Sequence, residues 1–132
     1  DSCDVSKIIL ASANKFGPSR SDVVFSLDID KKNTVFRGSD EMWEAIIDNI
    51  LNNFMRYAKS QVKITLKNNK IILYNDGPNI DKDVLNNIFT PYEKGVRGVF
   101  GLGLSIVKKT LGLLNYDINI ENVKNGVKFI IS

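Results

Sequence analysis

The chain has 132 residues, a length that suits one domain with a sizeable core and is short for two. Its 43% hydrophobic and 25% charged residues are those of an ordinary soluble globular protein. The net charge of +3 suits an anionic ligand without showing one, and Lys and Arg are scattered, which argues against a nucleic-acid surface. Cys3 is the single cysteine, so an internal disulfide and a thiolate metal cluster are excluded and a reducing compartment is expected. There is no histidine, which excludes histidine-based triads and histidine metal sites within the chain. No apolar run has the length of a membrane span, and the N-terminus is not a signal peptide. The start without methionine suggests a fragment of something longer.

In chain order, Val5 to Lys15 reads as a short helix, stopped by Gly17 and Pro18. Asp22 to Ile29 is rich in β-branched and aromatic residues and reads as a strand. A turn at Lys31, Lys32 and Asn33 leads to a second strand, Thr34 to Arg37, and Gly38 opens the next element. These pieces read as framework.

Ser39 to Ser60 reads as one long helix. Ser39 is placed to cap it, and Asp40 and Glu41 put negative charge at the positive end of the helix dipole. At roughly 100° per residue, Trp43, Ile46, Ile47, Ile50, Leu51, Phe54 and Ala58 share one apolar face. Asn49, Asn53 and Arg56 form a separate narrow stripe, with Tyr57 on its border. Asparagine is a poor helix former because its amide competes for backbone groups. Two asparagines in register therefore read either as a solvated face or as a stripe turned to a charged ligand. In the second case the amide oxygens would ligate a hard cation and the guanidinium a phosphate.

Gln61 to Lys67 alternates, Asn68 and Asn69 make a tight turn, and Ile71 to Tyr74 completes a hairpin. It runs into Asn75-Asp76-Gly77-Pro78-Asn79-Ile80, by composition a turn. At the end of a central strand, Asp76 could instead reach a pocket and accept a hydrogen bond from a purine amine, with Gly77 letting the backbone approach the ring. Asp81 to Ile88 is a short helix that Asp81 could cap, followed by an aromatic loop from Phe89 to Gly95. Glycines at 98, 101 and 103 precede a helix from Ile106 to Leu114, an arrangement that exposes backbone N–H groups to phosphate. Two strands, Tyr116 to Asn122 and Val127 to Ile131, finish the chain.

Taken in order, four motifs resemble one family. They are Asn49-x-x-x-Asn53-x-x-Arg56-Tyr57, Asn75-Asp76-Gly77-Pro78-Asn79-Ile80, Ile88-Phe89-Thr90-Pro91-Tyr92, and Gly101-Leu102-Gly103-Leu104-Ser105-Ile106-Val107-Lys108. They look like the N, G1, F and G2 boxes of the ATP-binding catalytic domain of sensor histidine kinases, over about residues 39 to 131. The resemblance implies an α+β fold over 1–132. That fold is a two-layer α/β sandwich (the Bergerat ATP-binding fold), with a mixed, mostly antiparallel sheet and helices on one face. It implies ATP and Mg²⁺ as cofactors. Asn49 and Asn53 match positions that contact metal and phosphates, and Arg56 a basic position at the terminal phosphate. Tyr57 matches an aromatic near the nucleotide, Asp76 the adenine-reading aspartate and Gly77 its companion glycine. Asn79 and Ile80 continue that box, and Phe89 with Pro91 matches the F box. Gly101, Leu102, Gly103 and Leu104 match the end of the ATP lid, to which Lys94 and Arg97 would add charge.

Two residues depart from the family pattern: Phe54 stands where alanine is usual, and Asn79 where the second G1 glycine is. Val99 and Phe100 occupy lid positions that are often small, and the short run from Lys94 to Phe100 implies a short, mobile lid. The implied partners are a histidine-bearing dimerisation domain of the same full-length protein, itself a homodimer, and the receiver domain of a response regulator. No nucleic acid or membrane contact is implied for this domain, the cytoplasmic portion of a membrane-bound bacterial sensor. Related alternatives are an ATPase of the gyrase, heat-shock-90 and mismatch-repair type, an anti-sigma-factor serine kinase, or an interaction module that keeps the fold without nucleotide.

Overall fold

A computed structural model of the chain describes residues 1–90 and 103–132. A short strand, β1 (Ser2–Asp4), runs directly into α1 (Val5–Phe16). Then come β2 (Val24–Ile29), β3 (Val35–Arg37) and the long helix α2 (Asp40–Tyr57). The hairpin β4 (Gln61–Lys67) and β5 (Lys70–Asn75) is followed by α3 (Lys82–Asn86), α4 (Gly103–Leu113) and a last hairpin, β6 (Ile118–Val123) and β7 (Gly126–Ile131).

The main sheet has five strands in the order β2-β4-β5-β7-β6. Only β2 and β4 pair in parallel; the other neighbours are antiparallel. β2 and β3, consecutive and joined by a turn, do not form a hairpin. β3 pairs instead with β1, three residues that carry no strand signature. The whole path through β3 and α2 is the crossover that a parallel β2–β4 pair requires.

Alternation decides which face is inside. Val62, Ile64 and Leu66 of β4, Ile71 and Leu73 of β5, and Val127, Phe129 and Ile131 of β7 are buried. Lys63 and Lys67 stand exposed on β4. The helices cover the apolar face, so the chain is a two-layer α/β sandwich with a mixed, mostly antiparallel sheet. Asn68 and Asn69 both take positive φ, 53° and 59°, the conformation that a two-residue hairpin needs to match strand twist.

α2 lies between α1 and α4 in the helical layer. Ser39 Oγ accepts from the Met42 N–H at 3.2 Å, as the capping pattern predicts. Trp43, Ile46, Ile47, Ile50, Leu51 and Phe54 have no exposed surface. Each large apolar side chain buried this way contributes about 1.5–3 kcal/mol. Phe54 meets Phe129 of β7 edge to face, with ring centroids 5.1 Å apart. The helix ends at Tyr57 and not at Ser60, because Ala58 leaves the helical region with ψ 138°. Arg20 closes that end: Nη1 donates to the Met55 carbonyl at 2.8 Å and Nη2 to that of Ala58 at 3.0 Å. Asp22 holds the same guanidinium through two hydrogen bonds of 2.8 Å. Arg20, which reads as framework in the sequence, thus satisfies carbonyls that the helix leaves without partners.

Candidate functional site

A cavity of about 220 Å³ opens where β5 ends beneath the last turns of α2. Asn53 and Tyr57 reach it from α2, and Asn75 from the last position of β5. The loop residues Pro78, Asn79, Ile80 and Asp81 form one wall, with Val84 of α3, and Val127 and Phe129 of β7 form another. Apolar walls with a few convergent polar groups are what a small-molecule site requires.

Strand alternation separates the two polar residues at the end of β5. Asn75 shares the inner face with Ile71 and Leu73 and is itself 4% exposed. Its Oδ1 accepts from the Gly77 N–H at 2.9 Å. Asp76, the next residue, turns the other way. The carboxylate expected in the pocket is absent from its lining and borders a second, polar depression with Lys59, Gln61 and Asn125. Oδ1 of Asp76 accepts from the N–H groups of Lys59 (2.9 Å), Ser60 (3.0 Å) and Gln61 (3.0 Å). Oδ2 accepts from the Ser60 hydroxyl at 2.6 Å. Partial burial works against the charge, but the bonds from Ser60, Gln61 and Lys59 outweigh it and hold the carboxyl down at about 2. Asp76 is the clasp of the α2–β4 turn.

Gly77 has a similar explanation. A Cβ there would stand 2.3 Å from the Tyr57 carbonyl oxygen and 2.7 Å from Asn75 Oδ1. Close packing against the C-terminus of α2 is by itself enough to require the glycine. Asn79 does not turn its amide nitrogen inward: Nδ2 donates to the Val123 carbonyl (3.0 Å) and the Gly126 carbonyl (2.8 Å). Ile80 is fixed through both its backbone groups by Asn122, at 2.8 Å each way. The loop after β5 is therefore latched to the β6–β7 hairpin, a feature with no signature in the sequence. Asp81 stands at the head of α3 without a capping side-chain bond.

The other expected residues distribute as follows. Asn49 lies one turn before Asn53 and meets the start of α4, where a Cβ on Gly103 would come 3.1 Å from Asn49 Oδ1. Its Nδ2 donates back to the Ala45 carbonyl at 2.6 Å. Arg56 is exposed on the last turn of α2, outside the cavity lining. Phe89 packs on the core, with Lys108 Nζ of α4 5.5 Å from its ring centre. Leu104 is wholly buried, so its side chain belongs to the core and only its backbone, in the first turn of α4, can face a ligand. Phe54, too, is a core residue that touches the cavity only through Phe129. Pro91, Tyr92, Lys94, Arg97, Val99, Phe100, Gly101 and Leu102 lie outside the described residues. Asn75 is the residue that attention to carboxylates misses. The period of two through Ile71 and Leu73 points to it.

Residues 38–132 match the model of the histidine kinase-, DNA gyrase B- and HSP90-like ATPases, and the chain belongs to that family. Within it, the likeness is to the ATP-binding catalytic domains of sensor histidine kinases. The chain is 37% identical over 118 residues to the sensor histidine kinase CssS of Bacillus subtilis, covering 86% of this chain and 26% of that protein. It thus spans about a quarter of the length of that relative. Among solved structures, the nucleotide-free catalytic domain of the histidine kinase ThkA superposes with a TM-score of 0.85 at 22% identity, over 99% of this chain and 92% of that one. A crystal structure of ThkA in complex with the response regulator TrrA matches with a TM-score of 0.81 at 21% identity, over 99% of this chain and 40% of that one.

Proposed function

We propose that the chain binds ATP with Mg²⁺ and donates the γ-phosphate to a histidine on a separate dimerisation domain of the same full-length, homodimeric protein. From there the phosphate would pass to the receiver domain of a response regulator, the class of partner that TrrA is for ThkA. One observation supports this most directly: the asparagine stripe of α2 serves two places at once. Asn53 and Tyr57 enter the apolar-walled cavity, and Asn49, one turn earlier, meets the N-terminal glycine of α4. A base in the cavity would direct its phosphates along that stripe toward a helix N-terminus, where backbone N–H groups and the dipole favour anions.

The residues fit a hard cation. Amide oxygens suit Mg²⁺, which takes few protein ligands and completes its shell with water and phosphate. Among the described residues there is no cluster of acidic side chains, histidines or cysteines to form an all-protein cage. The back-bond from Asn49 Nδ2 to Ala45 leaves Oδ1 as the group turned to α4. When bound, Mg²⁺ supplies charge neutralisation on the triphosphate. Arg56 adds a fixed positive charge on the same helix, and Lys94 and Arg97 are proposed to add to it.

The stripe holds no base. An amide cannot take the proton of an attacking water, and Asp48, the nearest carboxylate on α2, is committed to α1. Its Oδ1 accepts from Ser12 Oγ at 2.6 Å and its Oδ2 pairs with Lys15. The site is therefore suited to keep its phosphate for a histidine. The purified chain should hydrolyse ATP far more slowly than about once per second, and should form phosphohistidine when a histidine-bearing domain of the full protein is supplied in trans. Turnover at ordinary ATPase rates would overturn this reading. None of the described helices is long and apolar enough to cross a membrane. We place the domain on the cytoplasmic side of a membrane-bound sensor.

A further inference from the structure

The cavity contains a side chain whose hydrogen-bonding capacity is half used. Asn75 and Ser12 are the two buried polar residues among those described, and Ser12 is bonded to Asp48. Asn75 lies in register between Val62 of β4 and Val127 of β7, so its backbone belongs to the sheet. Its Oδ1 is engaged by the buried Gly77 N–H at 2.9 Å. Its Nδ2 meets no acceptor among the described residues. No buried side-chain nitrogen or oxygen there is without a partner, so Nδ2 opens on the cavity it lines. Reversing the amide would set its NH₂ against the Gly77 N–H and leave a buried backbone donor unsatisfied, at a cost of about 1–3 kcal/mol. The orientation is thus set by the protein: an N–H donor faces the ligand.

Resting on the nucleotide reading above, we propose that Asn75 is the specificity-determining residue at the base edge and acts there as a hydrogen-bond donor. The site then takes a 6-oxopurine nucleotide at least as well as the 6-aminopurine. A 6-oxo group accepts the Asn75 N–H. A 6-amino group meets it donor to donor and must recruit a bridging water. The walls do not discriminate, because Phe129, Val127 and Ile80 offer apolar contact to any purine. Asp81 offers the one carboxylate among the described lining residues, but it is exposed at the rim, where water competes for it.

Calorimetry of the intact chain with Mg-ATP and Mg-ITP tests this directly, since the two bases differ at position 6 and the adjoining ring nitrogen. ITP should bind within about threefold of ATP or more tightly. Asn75→Asp should shift the ratio toward ATP by about tenfold or more, because a carboxylate can accept from both Gly77 and the amine. Wild-type affinity for ATP more than about threefold above that for ITP would overturn the proposal with no variant needed. So would a ratio unmoved in a folded Asn75→Asp protein, or one moved by Asp81→Asn instead. If neither triphosphate binds, the nucleotide reading itself falls and this proposal with it. ATP binding with strong preference removes the proposal alone.

Discussion

Asn75 and Asp76 are adjacent, similar in size and both polar, yet they do opposite work. Every oxygen of Asp76 is engaged inside the protein by the α2–β4 turn. Asn75 accepts from one neighbour and keeps its amide donors for the cavity. The polar residue with all its bonds made is architecture, and the one with capacity left over is a candidate for recognition. Asn53 and Phe54 repeat the lesson on α2. One lines the cavity, and the other fills the core against Phe129.

Substitutions should separate these roles. The largest expected effect is at Phe54: Phe54→Ala empties a wholly buried aromatic site and should cost about 3–5 kcal/mol in denaturant unfolding. Asp76→Ala should follow at about 1–3 kcal/mol, because it removes the hydrogen bonds to a charged group that clasp the α2–β4 turn. Its ATP-to-ITP affinity ratio should stay that of the wild type wherever the protein is folded, and a large change in the ratio would erase the contrast with Asn75. Asn53→Ala should leave the thermal midpoint nearly unchanged and weaken Mg-ATP binding by about tenfold in calorimetry. Equal affinity in wild type and variant would remove Asn53 from the site.

The smallest effect concerns acid. The carboxyl of Asp76 titrates at about 2 in the folded protein against 3.8 for the free group, so its contribution to stability is fully present above the unfolded value. That contribution should fade between about pH 5 and pH 2, as the carboxyl takes its proton. Asp76→Asn should flatten this part of the stability profile. An unaltered acid limb would show that the turn does not depend on the charge.

The local elements were largely legible. The capping serine, the apolar stripe of α2 and the alternation of β4 all act between residues a few positions apart, so short-range periodicity reports them faithfully. Residue type drew attention to Asp76 for the cavity, whereas position, two residues on from Leu73, places Asn75 on the inner face. That information lay in the pattern of β5 but needed the strand end to be fixed first.

The sequence alone thus determined the helices, the hairpins, the inner face of β4 and the order of the motifs, because these follow from local geometry. The tertiary structure decided which strands meet: β2 pairs in parallel with β4 and leaves β3 to β1. It also brought Arg20 to the end of α2, latched the loop after β5 to the β6–β7 hairpin through Asn79 and Asn122, and set Asp48 against α1. Each of these is a hydrogen-bonding group finding a partner tens of residues away. Such a choice depends on which groups remain unsatisfied once the chain has closed around its core, and no local pattern can state that in advance.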